Sequence, residues 1–273
     1  MKSMILLFLF FASINVQAQD FKFGDLDQTK FNDFVLDMSA NFTATTVSSA
    51  KPLGKIFGFE AGLMGGTTNI KRIEQLIKSN DPNADAPKSL PHAGLIGVVS
   101  VPFGITLEVN TIPQLKSENS QFGTVGAALK WTMTENLLSA LPFDLAIRAH
   151  TSKTNFDFNQ IINNASTGNV PVDTKIKFED SVSGAMLMLS KNFILIEPFA
   201  GIGTIKATGN LRMEGTGDIF DNSFTVGQMA ETTLSGSHTV FGININLFII
   251  KFGLEHSRLF DTERTTAKFS FYF

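Results

Sequence analysis

The amino-acid sequence predicts an all-β protein, an antiparallel up-and-down transmembrane β-barrel of about 10–12 strands with a short N-terminal amphipathic helix. Three observations carry this prediction. The chain ends on alternating aromatic residues, the stretches before them alternate apolar and polar residues, and short and long connections alternate along the chain. Only helices and closed barrels can span a bilayer, because backbone polar groups need internal hydrogen-bond partners there.

The C-terminal residues 267–273 place Phe269, Phe271 and Phe273 on one face of a strand and polar residues or Tyr on the other. Such a row on an open edge strand would promote aggregation of a soluble protein. The ending resembles the C-terminal strand of Gram-negative outer-membrane β-barrels, which finishes in Phe. The resemblance implies that these three Phe residues signal to the barrel-assembly machinery and that the protein contacts outer-membrane lipid.

The N-terminus has the pattern of a secretory signal peptide. Lys2 precedes the apolar run Met4–Ala12, and Val16–Ala18 is a small-x-small cleavage site. A membrane anchor is the alternative, but the run is shorter than the roughly 20 residues that span a bilayer. We therefore expect residues 1–18 to be cleaved and the protein to be exported to the bacterial outer membrane.

Composition excludes several classes of function. The chain contains no Cys, which excludes a lipoprotein anchor, disulfides and thiolate metal sites. A formal net charge of −3 offers no basic face for nucleic acid. The four His residues lack the spacing of a zinc helix. We expect no cofactor, no metal and no nucleic-acid partner, and we expect a monomer.

Residues 19–40 differ from the rest of the chain and are assigned to an N-terminal helix or plug segment. Apolar residues recur there at helical spacing, which predicts an amphipathic helix over about residues 26–39. A helix with an apolar face needs a covering surface, and the barrel interior is one. The alternative is a loosely ordered tail.

Residues 41–273 are assigned to the barrel. Alternation is clear in stretches such as 103–110 and 125–133, whereas residues 174–190 and 193–206 are partly apolar on both faces. If Phe273 lies on the periplasmic side, every long polar connection, near 68–90, 112–121, 155–173 and 208–235, lies outside.

The strand number stays open at this point. The pattern gives about ten strands starting near residues 55–67, and residues 41–50 would add one more, although bacterial single-chain barrels have even strand numbers. Either residues 41–50 leave the lumen as irregular chain, or a further strand lies within 19–40 or 208–235 and the barrel has twelve strands. One feature departs from the usual pattern: the chain has 27 Phe but a single Trp and a single Tyr, too few for aromatic girdles at the interfaces.

Charged residues on the polar face of the strands are predicted to line the lumen. Their mixed signs indicate cross-strand ion pairs, with structural filling and solute selection as the two open roles. These residues are Glu60, Glu108, Lys130, Asp144, Arg148, Lys251, Glu255 and Lys268.

No catalytic residue is assigned. His150 and Ser152 lie two apart, which resembles the His-x-Ser pair of outer-membrane lipid hydrolases. The alternation turns both side chains toward the lumen, however, while an enzyme acting on bilayer lipid needs its nucleophile on the lipid side.

A helix followed by a barrel is distantly similar to the hydrophobic-compound uptake channels that carry an N-terminal hatch. The resemblance implies passage or uptake of a small solute, a hydrophobic one included. The alternatives are a structural or surface-interaction barrel that acts through its external loops, and an outer-membrane lipid-modifying hydrolase.

Overall fold

The computed structural model describes residues 28–80, 82–116, 120–164, 170–215 and 229–273. The predicted signal peptide, residues 1–18, and the first part of the predicted 19–40 segment lie outside these ranges.

The described chain forms a closed barrel in which every strand pairs antiparallel with the next strand in the sequence. Strand β10 returns to β1, with Leu63 opposite Phe269, and thereby closes the wall. The predicted fold class, a closed antiparallel barrel, is confirmed. The strands are β1 Gly58–Asn69, β2 Ser89–Val101, β3 Ile105–Lys116, β4 Ser120–Thr132, β5 Asp144–Asn164, β6 Val170–Ser190, β7 Ile196–Gly215, β8 Met229–Leu247, β9 Ile250–Leu259 and β10 Thr262–Tyr272.

Ten strands close the barrel, and residues 41–50 are not one of them. Residues 41 and 42 end helix α1 (Gln28–Phe42), and the irregular chain after them lies buried inside the barrel. Within the stretch 208–235, residues 208–215 belong to β7 and residues 229–235 to β8, and the residues between them lie outside the described ranges. The hydroxyls of Thr45, Thr46 and Ser48 donate to carboxylates of the wall, so strand-like composition does not lead to strand pairing here.

The predicted loop at residues 155–173 is wrong. Strands β5 and β6 contain 21 residues each and pair continuously from Asp144 opposite Ser190 to Asn164 opposite Val170. Strands β7 and β8 are almost as long, with 20 and 19 residues, whereas the other strands have 10 to 13. The polar composition reflects strands that extend beyond the apolar band into water.

The outer surface of the wall carries an apolar band. Leu63, Leu107, Leu129 and Phe252 are each more than 40% exposed, while the residues beside them in the sequence point inward. Lipid is the environment that such a band fits. Within the described ranges, neither α-helix is long and apolar enough to cross a membrane.

A second helix, α2 (Lys71–Asn80), connects β1 to β2 at the end of the barrel opposite Phe273. Ile73 and Leu76 on this helix are buried. At the same end, Phe260 and Asp261 form a two-residue turn, with φ values of 51° and 69°, between the paired residues Leu259 and Thr262. This left-handed geometry is the one that tight hairpins require, and it buries the Phe260 ring against α1.

The orientation of this fold in the membrane can be tested with single cysteines, since the chain has none of its own. Thr29 is exposed at the long-strand end, and Ser139 is exposed in the β4–β5 connection at the other end. In intact cells, we expect a bulky, membrane-impermeant maleimide to label Thr29→Cys and to leave Ser139→Cys unlabelled. After permeabilisation of the outer membrane, both should be labelled. Labelling of Ser139→Cys alone in intact cells would show that the barrel is inverted.

Candidate functional site

The lumen of the barrel is filled by residues 28–53, which we name the lumenal segment. Helix α1 occupies the half of the lumen at the long-strand end, and the irregular chain after it runs to the Phe273 end. Successive contacts trace this path: Thr45 bonds to Glu255, Thr132 donates to the Ala50 carbonyl, and the Leu53 amide donates to Ser100.

Asp37 anchors the lumenal segment at the long-strand end. Its carboxylate, buried inside the barrel, accepts hydrogen bonds from the backbone amides of Arg72 at 2.9 Å and Ile73 at 3.1 Å. These amides are unpaired donors in the first turn of α2, so Asp37 caps a helix from a distant part of the chain. The Arg72 guanidinium and the Thr262 hydroxyl complete the site, at 3.2 and 2.8 Å.

Glu108 on β3 anchors the middle of the lumenal segment. Its carboxylate accepts hydrogen bonds from Thr46 at 2.7 Å and from Ser48 at 2.5 Å. Two cations of the wall, Lys130 and Arg148, lie at 3.3 and 3.0 Å from the same carboxylate. Lys130 also donates to the Ser49 carbonyl at 2.6 Å. One buried carboxylate therefore joins strands β3, β4 and β5 to the chain that fills the lumen.

Glu60 on β1 forms a second cluster nearer the Phe273 end. Lys268 lies at 2.6 Å and Lys251 at 2.9 Å from its carboxylate, and the Ser270 hydroxyl donates to it at 2.7 Å. This cluster joins β1, β9 and β10 across the seam that closes the barrel.

The structure places seven of the eight predicted lumen residues inside the barrel: Glu60, Glu108, Lys130, Arg148, Lys251, Glu255 and Lys268 are buried. Asp144 is half-buried at the start of β5, near the Phe273 end. Two clusters, around Glu60 and Glu108, contain six of the seven, and Glu255 belongs to a third with Arg264.

Arg264 is a lumen residue that sequence reasoning missed. It is 1% exposed and donates to the carbonyls of Ala40 and Thr43 at 3.1 and 2.7 Å, where α1 ends. A cation at this place satisfies unpaired carbonyls and complements the helix dipole. Glu255 lies 3.7 Å from its guanidinium. The alternation that placed Lys268 inward also places Arg264 inward, two turns of the pleat earlier, so the signal was present.

The other side of the lumen is apolar. Inward residues of β6 and β7 are mostly hydrophobic, and they pack against Phe31, Val35 and Ala40 of α1 and, further along, Val47 and Ala50. The lumen wall thus has two faces, an apolar one on β6 and β7 and a charged one centred on β9, β10, β1, β3 and β4. The apolar wall residues are Ile176, Phe178, Val182, Met186, Met188, Phe199, Ile205, Ala207 and Leu211.

His150 and Ser152 both point into the lumen, with 4% and 2% exposure. Among the described residues, neither the His150 ring nitrogens nor the Ser152 hydroxyl has a hydrogen-bond partner. The His150 ring instead meets His238 edge-on, with 5.4 Å between ring centroids. The described residues contain no group of three or more His, Cys, Asp or Glu placed to hold a metal ion.

Cavities with room for several water molecules border the polar contacts at both ends. A cavity of about 150 Å³ at the Phe273 end is lined by Ser48, Ser49 and Lys130 among others. A second, of about 220 Å³, is lined by Asp37 and Arg72 at the long-strand end. Each cavity therefore has room for water beside residues that hold the lumenal segment.

Comparison with known proteins gives a family and several structural likenesses. A family model described as "Family of unknown function (DUF6588)" matches residues 61–259. No curated protein matches the chain.

Several solved structures of outer-membrane barrels are similar in fold. The outer membrane protease OmpT from Escherichia coli is 9% identical, with 84% of this chain and 100% of that chain covered and a TM-score of 0.43. The translocator domain of autotransporter NalP from Neisseria meningitidis is 6% identical, covering 90% and 95%, with a TM-score of 0.41. The Ralstonia pickettii toluene transporter TbuX is 7% identical, covering 88% and 98%, with a TM-score of 0.33. At these values the likenesses carry no argument about function.

The Asp37 anchor can be tested with a matched pair of substitutions. Asp37→Ala removes the acceptor of four hydrogen bonds and leaves Arg72 without its buried partner, so we expect a loss of roughly 2–4 kcal/mol in the free energy of unfolding. Asp33→Ala removes only a carboxylate that is 41% exposed and 3.6 Å from Arg72, and should cost less than about 1 kcal/mol. Urea titration of the detergent-solubilised barrel measures both. Equal costs would show that Asp37 is not an anchor.

Proposed function

The chain belongs to the family of unknown function DUF6588, and we propose that it is a plugged outer-membrane barrel which admits a small solute when the lumenal segment shifts. The observation that carries this proposal is the two-faced lumen. Residues 28–53 fill the barrel from end to end, yet they bind its charged wall through hydrogen bonds that water can replace.

The energetics of the polar contacts support reversible displacement. A buried hydrogen bond contributes only a modest net free energy, because the groups it joins lose their hydrogen bonds to water when it forms. A segment meant only to fill the barrel would be stabilised better by apolar contacts on all sides. On the Glu108 side, however, Ser48 and Lys130 make polar contacts next to a cavity with room for water.

The wall clusters also hold together without the lumenal segment. Glu60 is paired entirely with groups of β9 and β10. Glu108 keeps Lys130 and Arg148 when Thr46 and Ser48 move away. The barrel can therefore stay closed as a cylinder while its filling moves, which a gated passage requires.

The solute class follows from the two faces. A displaced segment would expose the apolar strip of β6 and β7 opposite a row of cations and carboxylates. A small amphipathic molecule, with an apolar body and a polar group, fits both faces. The resemblance to hatch-containing channels implies a hydrophobic solute, and the charged face of the lumen adds a polar group to it.

A second candidate function has its own observation. Strands β5 to β8 continue beyond the apolar band as a four-stranded projection, with β5 and β6 paired as far as Asn164 and Val170. Such a projection can contact a partner at the cell surface, as a surface-interaction barrel would. Permeability measurements separate the two functions.

A disulfide can lock the lumenal segment to the wall. The Cβ of Val35 lies 3.3 Å from an ideal Cβ on Gly209 of β7, close to the distance of roughly 3.5–4.5 Å in disulfides. In proteoliposomes, we expect oxidised Val35→Cys/Gly209→Cys to block swelling in phenyl-β-D-glucoside and in arabinose. Reduction should restore the rate of the unlocked barrel, and deletion of residues 28–53 should raise it about tenfold, because a barrel of this size is closed only by its filling.

Single Val35→Cys under the same oxidant is the control for non-specific effects of oxidation. Equal swelling of the oxidised and reduced double variants would contradict passage through the lumen. Passage through the lumen would also be contradicted if neither double variant nor the deletion variant caused swelling.

A further inference from the structure

The outer surface of the long strands changes from apolar to polar at one level. On β5 the outward residues pass from Ile147 and Ala149 to Thr151, and on β7 from Ile202 to Thr204. Other strands carry hydroxyls at the corresponding place, among them Thr67 opposite Thr265. This level marks the boundary between the acyl chains and the headgroups of the outer leaflet, where the Trp and Tyr of an aromatic girdle usually lie.

Two lysines stand on the water side of this boundary. Lys153 of β5 and Lys206 of β7 are both exposed, and each lies between buried, inward-facing neighbours, so both side chains point outward. They flank β6: Ser181 lies opposite Lys153, and Ser183 lies opposite Lys206. The serines between them are small and leave a shallow, hydroxyl-lined platform.

Neither ammonium group has a hydrogen bond or an ion pair with any other described residue. Other exposed cations of the outer surface have a carboxylate partner: Lys175 lies 3.7 Å from Asp157, and Arg258 lies 3.0 Å from Asp261. The nearest outward carboxylate on β6, Glu179, lies one pleat further from the membrane than Ser181.

We propose that Lys153 and Lys206, with the hydroxyls between them, bind the phosphate groups of a phosphorylated glycolipid in the outer leaflet. Lysines next to a membrane surface attract anionic headgroups. The two strands that carry them are separated by β6 and hence by roughly 10 Å, which suits two phosphates of one lipid better than a single free ion. The lipid's acyl chains then cover the apolar band formed by Ile147, Ala149 and Ile202.

This site would replace the missing aromatic girdle. The single Trp, Trp131, lies at the end of β4 near the short connections, and the single Tyr, Tyr272, ends β10. At the long-strand end, the described outer surface offers lysines and hydroxyls to the headgroups instead of amphipathic rings. The two lysines lie on the outside of the wall, so lipid binding there does not depend on passage through the lumen.

Native mass spectrometry of the detergent-purified protein with bisphosphorylated lipid A tests the proposal. We expect Lys153→Gln/Lys206→Gln to bind lipid A roughly tenfold or more weakly than the parent, as the loss of two headgroup contacts implies. Lys55→Gln/Lys191→Gln removes the same charge near the Phe273 end and should bind like the parent. Both variants should keep the heat-dependent gel mobility of the folded barrel, since the replaced side chains lie on its surface.

Two further arms identify the ligand. Lipid A stripped of its phosphates should bind the parent protein as weakly as lipid A binds the Lys153/Lys206 variant. Inorganic phosphate at millimolar concentration should not displace the lipid. Undiminished binding of the stripped lipid, displacement by free phosphate, or equal losses in the two double variants would each overturn the proposal.

Discussion

The structure depends on one constraint, the need to fill the interior of a closed ten-strand barrel. A wall of this size leaves a lumen too wide for its own side chains to occupy, and residues 28–53 supply the missing volume. Because the lumenal segment crosses the whole barrel, the inward side chains of the wall suit the part of the segment that they face. Strands β6 and β7 offer apolar side chains to α1, and Glu108 and Arg264 offer charge to the chain that follows.

The same constraint links stability to function. Polar anchors such as Asp37 and Glu108 specify where the lumenal segment lies, while they contribute less net free energy than apolar packing would. The wall keeps its own ion pairs, so its integrity does not require the segment to stay in place. A barrel built in this way combines a persistent cylinder with a filling that can move, and its outer surface meets the lipid independently of both.

Much of this architecture can be predicted from the sequence. The features that could not be predicted were missed for physical reasons. Period-two alternation located the strands and turned Glu60, Glu108 and Lys251 inward, because one face of each strand meets lipid. The end of β6 resisted that reasoning because both of its faces are apolar. Leu187 and Leu189 point toward lipid, while Met186 and Met188 pack with Val47 of the lumenal segment. The polar stretch 155–173 suggested a loop, but strands that project into water are polar as well. The cap that Asp37 places on α2 joins residues far apart in the sequence, and no local pattern reports such a contact.

Hydrogen–deuterium exchange of the folded barrel in detergent tests the central claim most directly, because it compares the lumenal segment with the wall in the same molecule. Residues 43–50 lie outside the strand ladders, and a displaceable segment opens at a free energy well below that of global unfolding. We predict that their amides exchange much faster than those of β9 and β10, while the amides of the wall strands stay protected. Equal protection of residues 43–50 and the wall strands would show that the lumenal segment is a permanent part of the core, and the gated passage would be contradicted.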